Sequence, residues 1–283
     1  MTFTYQDLIS RNRGYIDSAT QVKIAQTRVL IAGCGIGSQV AEAAVRIGFQ
    51  KFILVDGDRV EVHNLNRQFF FAAQVGQDKV AALRENIMRI NPSAEVETRK
   101  ELLTTANAAE IVKGTDLIFD TIDFLDLNGI VALHDQAHCQ KKILVSSFSV
   151  GFGAAVICFP PDSRDHAWIR EIFGLPLKGD IGSASYSERY QKLFTALASG
   201  LDPSVLGVMQ KVFSEIADGH ACPAPQIAPG AHAVAAICVT TAVRLLEGNR
   251  LTLGPQMIVL NLLETLQNPG FALVLPRTKL RSA

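Results

Sequence analysis

Phosphate-handling chemistry is concentrated in two neighbouring stretches of the sequence. In the first, Gly33-Cys34-Gly35-Ile36-Gly37-Ser38, missing side chains let backbone N–H groups and the N-terminus of a following helix approach an anion. In the second, Asp56-Gly57-Asp58-Arg59-Val60-Glu61-Val62-His63-Asn64-Leu65-Asn66-Arg67-Gln68, carboxylates are followed closely by amides and a guanidinium, and Lys79 stands a little further on.

Arg67 and Lys79 together can neutralise a triphosphate, and Asn64 and Gln68 add uncharged donors. Such donors stabilise the charge that grows on an α-phosphate during in-line displacement, each worth about 10² to 10³ in rate. Neither cation has to act as a base if the attacking group is a carboxylate, which is already nucleophilic. Asp56, about twenty residues beyond the glycines, can accept hydrogen bonds from a ribose, with Asp58 beside it. Asp120-Thr121-Ile122-Asp123 closes a strand-like run, where loops of an open α/β sheet meet their ligands, and Asp123 is placed to hold Mg²⁺ against phosphates. A hydride-transfer enzyme has no use for so many phosphate-seeking donors here.

These side chains need a frame. Residues 27–32 are a short apolar run that stops at the glycines, 38–47 an Ala-rich helical stretch and 52–55 a second strand, which together predict a βαβ unit. Val80, Leu83, Ile87 and Ile90 recur at helical spacing and Asn91-Pro92 supplies a stop, so a helix is predicted to begin just after Gly76. Strand-like runs follow at Val96, 117–121, 143–147 and 154–159, with a helical stretch over 125–139. The pattern predicts an α/β fold, a Rossmann-like, doubly wound and mostly parallel sheet.

From Pro160 to about His220 the strand signal stops, and amphipathic stretches near 164–173, 187–199 and 204–218 predict a helical insertion over one end of the sheet. After Cys222-Pro223-Ala224-Pro225-Gln226-Ile227-Ala228-Pro229 come an apolar helix and strands near 257–261 and 271–275. The chain therefore divides into an N-terminal helical arm (1–26), a nucleotide-binding region (27–160), the insertion (161–220), and a crossover loop, apolar helix and last strands of the same domain (221–283).

With 283 residues the chain can bury a full core, and its charges sum to zero, so no broad field draws it to DNA or an anionic membrane. The apolar run 231–246 is shorter than a bilayer needs and carries His232 and Arg244, which predicts a buried helix. Residues 1–20 carry Asp7, Arg11, Arg13 and Asp17 and do not resemble a signal peptide. The five cysteines include no C-x-x-C pair, which argues against zinc and suits a reducing cytoplasm. Of these, Cys139, Cys158 and Cys238 read as core.

The string V-D-x-D-x-V-x-x-x-N-L-N-R-Q over 55–68, G-x-x-K over 76–79, N-P at 91–92 and D-x-x-D over 120–123 resembles the ThiF/MoeB adenylyltransferases, relatives of the ubiquitin-activating enzymes. The resemblance runs from about Arg11 to Pro160 and resumes from about Cys222 to Gly248. It implies ATP- and Mg²⁺-dependent activation of a carboxylate as an acyl-adenylate. It places ribose on Asp56, phosphates on Asn64, Arg67, Gln68 and Lys79, and Mg²⁺ on Asp123. Arg11, ten residues before Gln21, stands where family dimers send an arginine into the partner subunit's nucleotide site, which implies a homodimer. Cys222 falls close to a loop cysteine that could receive the acyl group as a thioester. Implied substrates are the C-terminus of a ubiquitin-like or sulfur-carrier protein, a peptide C-terminus, or a small or tRNA-borne carboxylate.

Two departures keep other readings open. The glycine turn is one residue shorter than G-x-G-G-x-G, and the usual T-D-N reads Ile122-Asp123-Phe124. A non-catalytic scaffold or regulatory ATP-binding subunit, and an NAD(P)-dependent oxidoreductase on the same glycine turn, are the alternatives.

Overall fold

A computed structural model describes residues 3–124, 126–161, 168–179, 181, 203–217 and 225–268. Among them, seven strands form one sheet in the order β3-β2-β1-β4-β5-β6-β7. The strands are β1 (Arg28–Ala32), β2 (Lys51–Val55), β3 (Glu95–Arg99), β4 (Leu117–Asp120), β5 (Ile143–Ser149), β6 (Gly153–Phe159) and β7 (Ile258–Asn261). The first five are parallel, whereas β6 runs antiparallel to both β5 and β7. The chain winds outward from β1 in both directions, so the crevice between the carboxyl ends of β1 and β4 is the switch point where such sheets take ligands.

Because successive strand residues point to opposite faces, the near-continuous apolar runs of β1 and β4 feed two cores. Val29, Ile31, Leu54 and Val145 pack under α3 (Gly37–Ile47), α4 (Lys79–Ile90) and α9 (Ala228–Leu246). Leu30, Ala32, Ile53, Ile118 and Leu144 pack under α5 (Ala108–Lys113), α6 (Leu127–Cys139) and α7 (Trp168–Ile172).

Helix α9 is long and apolar enough, by length and composition, to cross a bilayer, but its face of Gly230, Ala231, Val234, Cys238 and Ala242 is buried on β5, β6 and α3. Small residues allow that close approach. Helix α3 ends at Gly48, whose φ of +114° lets its N–H return to the carbonyls of Ala44 and Val45. The remaining carbonyl ends are covered by the N-terminal arm, α1 (Tyr5–Ile9) and α2 (Ser18–Gln26): Tyr5 Oη donates to Gly48 O, and Asn12 and Gln21 both donate to Ile47 O.

The helix expected just after Gly76 starts two residues later, at Lys79, with Asp78 as its N-cap residue, and stops at Asn91-Pro92 as the sequence implies. Within 161–220 the described residues contain α7 and α8 (Pro203–Ala217). Arg170, buried in α7, holds that helix on α6 through Asp135 at 2.6 Å and fixes the turn beyond by donating to Pro176 O and Gly179 O. The expected helix at 187–199 and strand at 271–275 lie outside the described residues. The stretch after β7, for which the sequence suggested no element, forms the short helix α10 (Leu262–Gln267), capped by Asn261.

Candidate active site

A cavity of about 940 Å³ opens at the carboxyl ends of β1, β2 and β4, within the range of about 300–1,000 Å³ usual for small-ligand sites. Gly33, Gly35, Asp56, Asp58, Asn64, Arg67, Gln68, Lys79 and Asp123 all line it. Gly37 does not; it sits where α3 presses on the sheet, and a Cβ there would lie 2.3 Å from Thr121 Oγ1. Arg11 is exposed on a short 3₁₀ turn (Ser10–Asn12) and does not line the cavity of its own chain. Cys222 lies outside the described residues.

The glycine turn is gripped from three sides. Gly33 has φ +85°, and a Cβ on it would meet Thr121 O at 2.6 Å, so only glycine fits. Thr121 Oγ1 donates to Gly33 O at 2.6 Å. Ser38 Oγ donates to Gly35 O and accepts from Phe69 N, tying the turn to the Arg67–Gln68 segment. Cys34 N donates to Asp56 Oδ2 at 2.7 Å.

Asp56 is therefore structural as well as exposed to ligand. Its other oxygen accepts from Asp58 N at 2.8 Å, and a carboxylate with about four acceptor positions still has capacity for ribose hydroxyls. Burial raises its pKa, with the Lys79 charge working in the opposite direction. Lys79 lies in the first turn of α4; its nearly buried ammonium donates to the exposed carboxylate of Asp58 at 2.8 Å and has further protons to offer.

Arg67 ends the 3₁₀ segment Val62–Asn66. Its Nε donates to Gln226 Oε1, its Nη1 to His63 O and Asn66 Oδ1, and Nη2 makes no hydrogen bond among the described residues. Burial lowers the guanidinium pKa, and the nearby Asp123 carboxylate works in the opposite direction. Asn64 Oδ1 accepts from Glu61 N, which orients its amide N–H₂ as a donor for a ligand. Gln68 is buried, and its Oε1 has no hydrogen-bond partner among the described residues.

Several contributors escape sequence reasoning. Gln226 meets Arg67 across 159 residues of chain, and Asn66 Nδ2 also donates to Gln226 O. Asp120, one strand residue before Thr121, is buried where His134 Nε2 at 2.9 Å and Ser146 Oγ at 2.8 Å meet its Oδ2, while Oδ1 accepts from Ile122 N. That network sets the backbone leading to Asp123. Leu102 and Leu103, in the loop after β3, join Val55 and Ile122 on an apolar part of the wall. No group of three or more His, Cys, Asp or Glu suited to a metal occurs among the described residues. A Mg²⁺ bound largely through phosphates and water needs one or two carboxylates, and Asp123 can be one.

Comparisons with known proteins bear on the fold and the family. Ubiquitin-like modifier-activating enzyme 5 of Drosophila melanogaster is 41% identical over 101 residues, which is 35% of this chain and 24% of the relative. The tRNA threonylcarbamoyladenosine dehydratase 1 of Saccharomyces cerevisiae is 26% identical over 152 residues, 52% of this chain and 35% of the relative. The chain thus spans well under half the length of the curated relatives it matches. Among solved structures, E. coli MccB with succinimide has a TM-score of 0.64 at 18% identity, covering 91% of this chain and 68% of that one. E. coli TcdA in complex with ATP has a TM-score of 0.61 at 20% identity, covering 86% and 95%. At such identities the structures speak for the fold alone. The family itself is decided over nearly the whole sequence: the model of the ThiF family matches residues 9–274, and this chain belongs to it.

Proposed function

We propose that the chain is an ATP-dependent adenylyltransferase that converts a substrate carboxylate to an acyl-adenylate. The observation that carries this reading is the convergence on one cavity of the glycine turn, the guanidinium of Arg67, the ammonium of Lys79 and the carboxylate of Asp123. Membership of the ThiF family and a fold shared with an ATP-bound relative support it.

In the proposed reaction a carboxylate oxygen attacks the α-phosphorus, the bond from that phosphorus to the bridging oxygen breaks, and pyrophosphate leaves with the electron pair. No general base is required. Arg67 Nη2 and Lys79 Nζ oppose the negative charge on the phosphoryl oxygens, Asp56 takes the ribose, and the apolar slot of Val55, Leu102, Leu103 and Ile122 suits the base. Bound Mg²⁺ would supply further charge neutralisation on the phosphates, with Asp123 as its protein ligand. A homodimer in which Arg11 completes the partner's site belongs to the same proposal.

ATP–pyrophosphate exchange tests it. Exchange should depend on an added carboxylate and fall by about 10²-fold or more in Arg67→Ala and Asp123→Ala. Exchange that survives both substitutions unchanged would sink the reading.

A further inference from the structure

The cavity has a second half that the nucleotide chemistry leaves unused. Its walls are the turn between β5 and β6 and one face of α8, which bring Phe148, Phe152, Val205, Val208, Met209 and Val212 together. Phe152 and Val208 are 45% and 49% exposed, although both are large and apolar. Phe148 also stacks on Phe124, with ring centroids 4.5 Å apart, next to Asp123 at the border with the nucleotide half. Val205 packs so closely on Gly151 that a Cβ there would lie 2.7 Å away, which fixes α8 against the turn.

The charge pattern is equally one-sided. Of the described residues that line the cavity at 147–152, 204–212 and 225–227, none is ionisable. The charged pair of α8, Lys211 and Glu215, does not line the cavity. The polar side chains there include Gln226, which holds Arg67. An apolar wall with a few placed polar groups is what a small-ligand site requires, and a cavity of about 940 Å³ has room for a compact group beside a nucleotide.

We infer that the carboxylate activated here is carried by an apolar body of side-chain size, aliphatic or aromatic, seated between α8 and the β5–β6 turn. The inference rests on the adenylation reading and deepens it. A Gly-Gly tail would leave this wall wet, and an acidic residue would lose its water without gaining a charged partner among the described residues of this half. Burying a Leu- or Phe-sized group favours it over glycine by on the order of 10- to 100-fold. The same chemistry can come from a free acid or from the last residue of a peptide.

The experiment uses the full chain with matched acids: N-acetyl derivatives of Leu, Phe, Gly and Asp, and short peptides ending in Leu, Asp or Gly-Gly. Binding is measured by calorimetry with a non-hydrolysable ATP analogue present, and turnover by pyrophosphate exchange. Apolar acids should bind at least tenfold more tightly than the Gly and Asp compounds, whether free or peptide-borne, and the better of the two formats identifies the source. Val208→Asp, at a half-exposed position that tolerates charge, should abolish the preference while ATP affinity holds. Equal or inverted ranking, or no binding of the apolar acids to ATP-competent protein, overturns the inference and leaves adenylation standing. Failure to bind ATP at all overturns the reading beneath it.

Discussion

Lys79 Nζ donates to Asp58 Oδ2 at 2.8 Å, and the two ends of this bond live in different environments: the lysine side chain is 9% exposed and the aspartate 65%. The aspartate is well solvated, so the pair adds at most about 1 kcal/mol to stability, and its use lies in aiming the ammonium into the cavity. Lys79→Ala should lower pyrophosphate exchange by about 10²- to 10³-fold. Asp58→Asn should raise the KM for ATP by about tenfold with an unchanged thermal midpoint, because only the aim of the cation is lost. An equal loss of activity in the two variants would contradict this division of labour.

Arg67 depends on a residue far away in sequence. Gln226→Ala removes the acceptor for Nε, leaving the guanidinium held only through Nη1 by His63 O and Asn66 Oδ1, and should lower kcat by about tenfold with little change in ATP affinity. Arg67→Lys should fail to restore activity, since one ammonium cannot reach both the amide and a phosphate. Steady-state exchange kinetics with separate kcat and KM values decide both.

Gly33→Ala should unfold the turn locally. A positive φ costs an L-residue about 1–2 kcal/mol, and forcing a Cβ to within 2.6 Å of Thr121 O adds about 1–3 kcal/mol of overpacking. For a domain of this size the sum lowers the thermal midpoint by several degrees. Gly76→Ala, where φ is +88° but nothing lies within 4 Å of the Cβ position, carries only the backbone part and should lose visibly less.

Alkaline stability should report the buried thiols. Burial pushes the thiols of Cys158 and Cys238 up to about 12, whereas an unfolded cysteine ionises near pH ~8.5. The unfolded chain therefore sheds these protons first, and stability falls as pH rises from about 8.5 towards 12, with no contribution below that window. Urea midpoints at pH 7.5, 9 and 10 should decline, and the decline should flatten in Cys238→Ala. Native alkylation at pH 8 should modify Cys139, which the sequence reads as core but which is exposed at the end of α6, and spare Cys34, Cys158 and Cys238.

The residues that spacing alone brings into view are those whose neighbours in sequence are also their neighbours in space. The glycines at a strand end, Asp56 at the end of β2 and Lys79 in the first turn of α4 share one edge of the sheet because each begins or ends an element there. The parallel order of the strands follows from the same alternation of apolar runs and helical periods. Gln226 on Arg67, and His134 with Ser146 on Asp120, follow no such rule, since each joins elements whose packing side no local period reveals. Helix α8 is legible as amphipathic, but what its apolar face covers is settled by the turn at Gly151, not by its own sequence.

Strand β6 reverses direction after β5, so the far wall of the cavity is a hairpin end, whereas the near wall is made by crossover loops that must keep their register with helices. Surface loops tolerate changes of length and composition better than the elements they connect. In the proposed reaction, the β5–β6 turn that faces the acyl group and the crossover loops that face the triphosphate would be separate pieces of backbone. Relatives could exchange one while inheriting the other, and a protein engineer could retune acceptance at Val150–Phe152 without touching the machinery that handles the triphosphate.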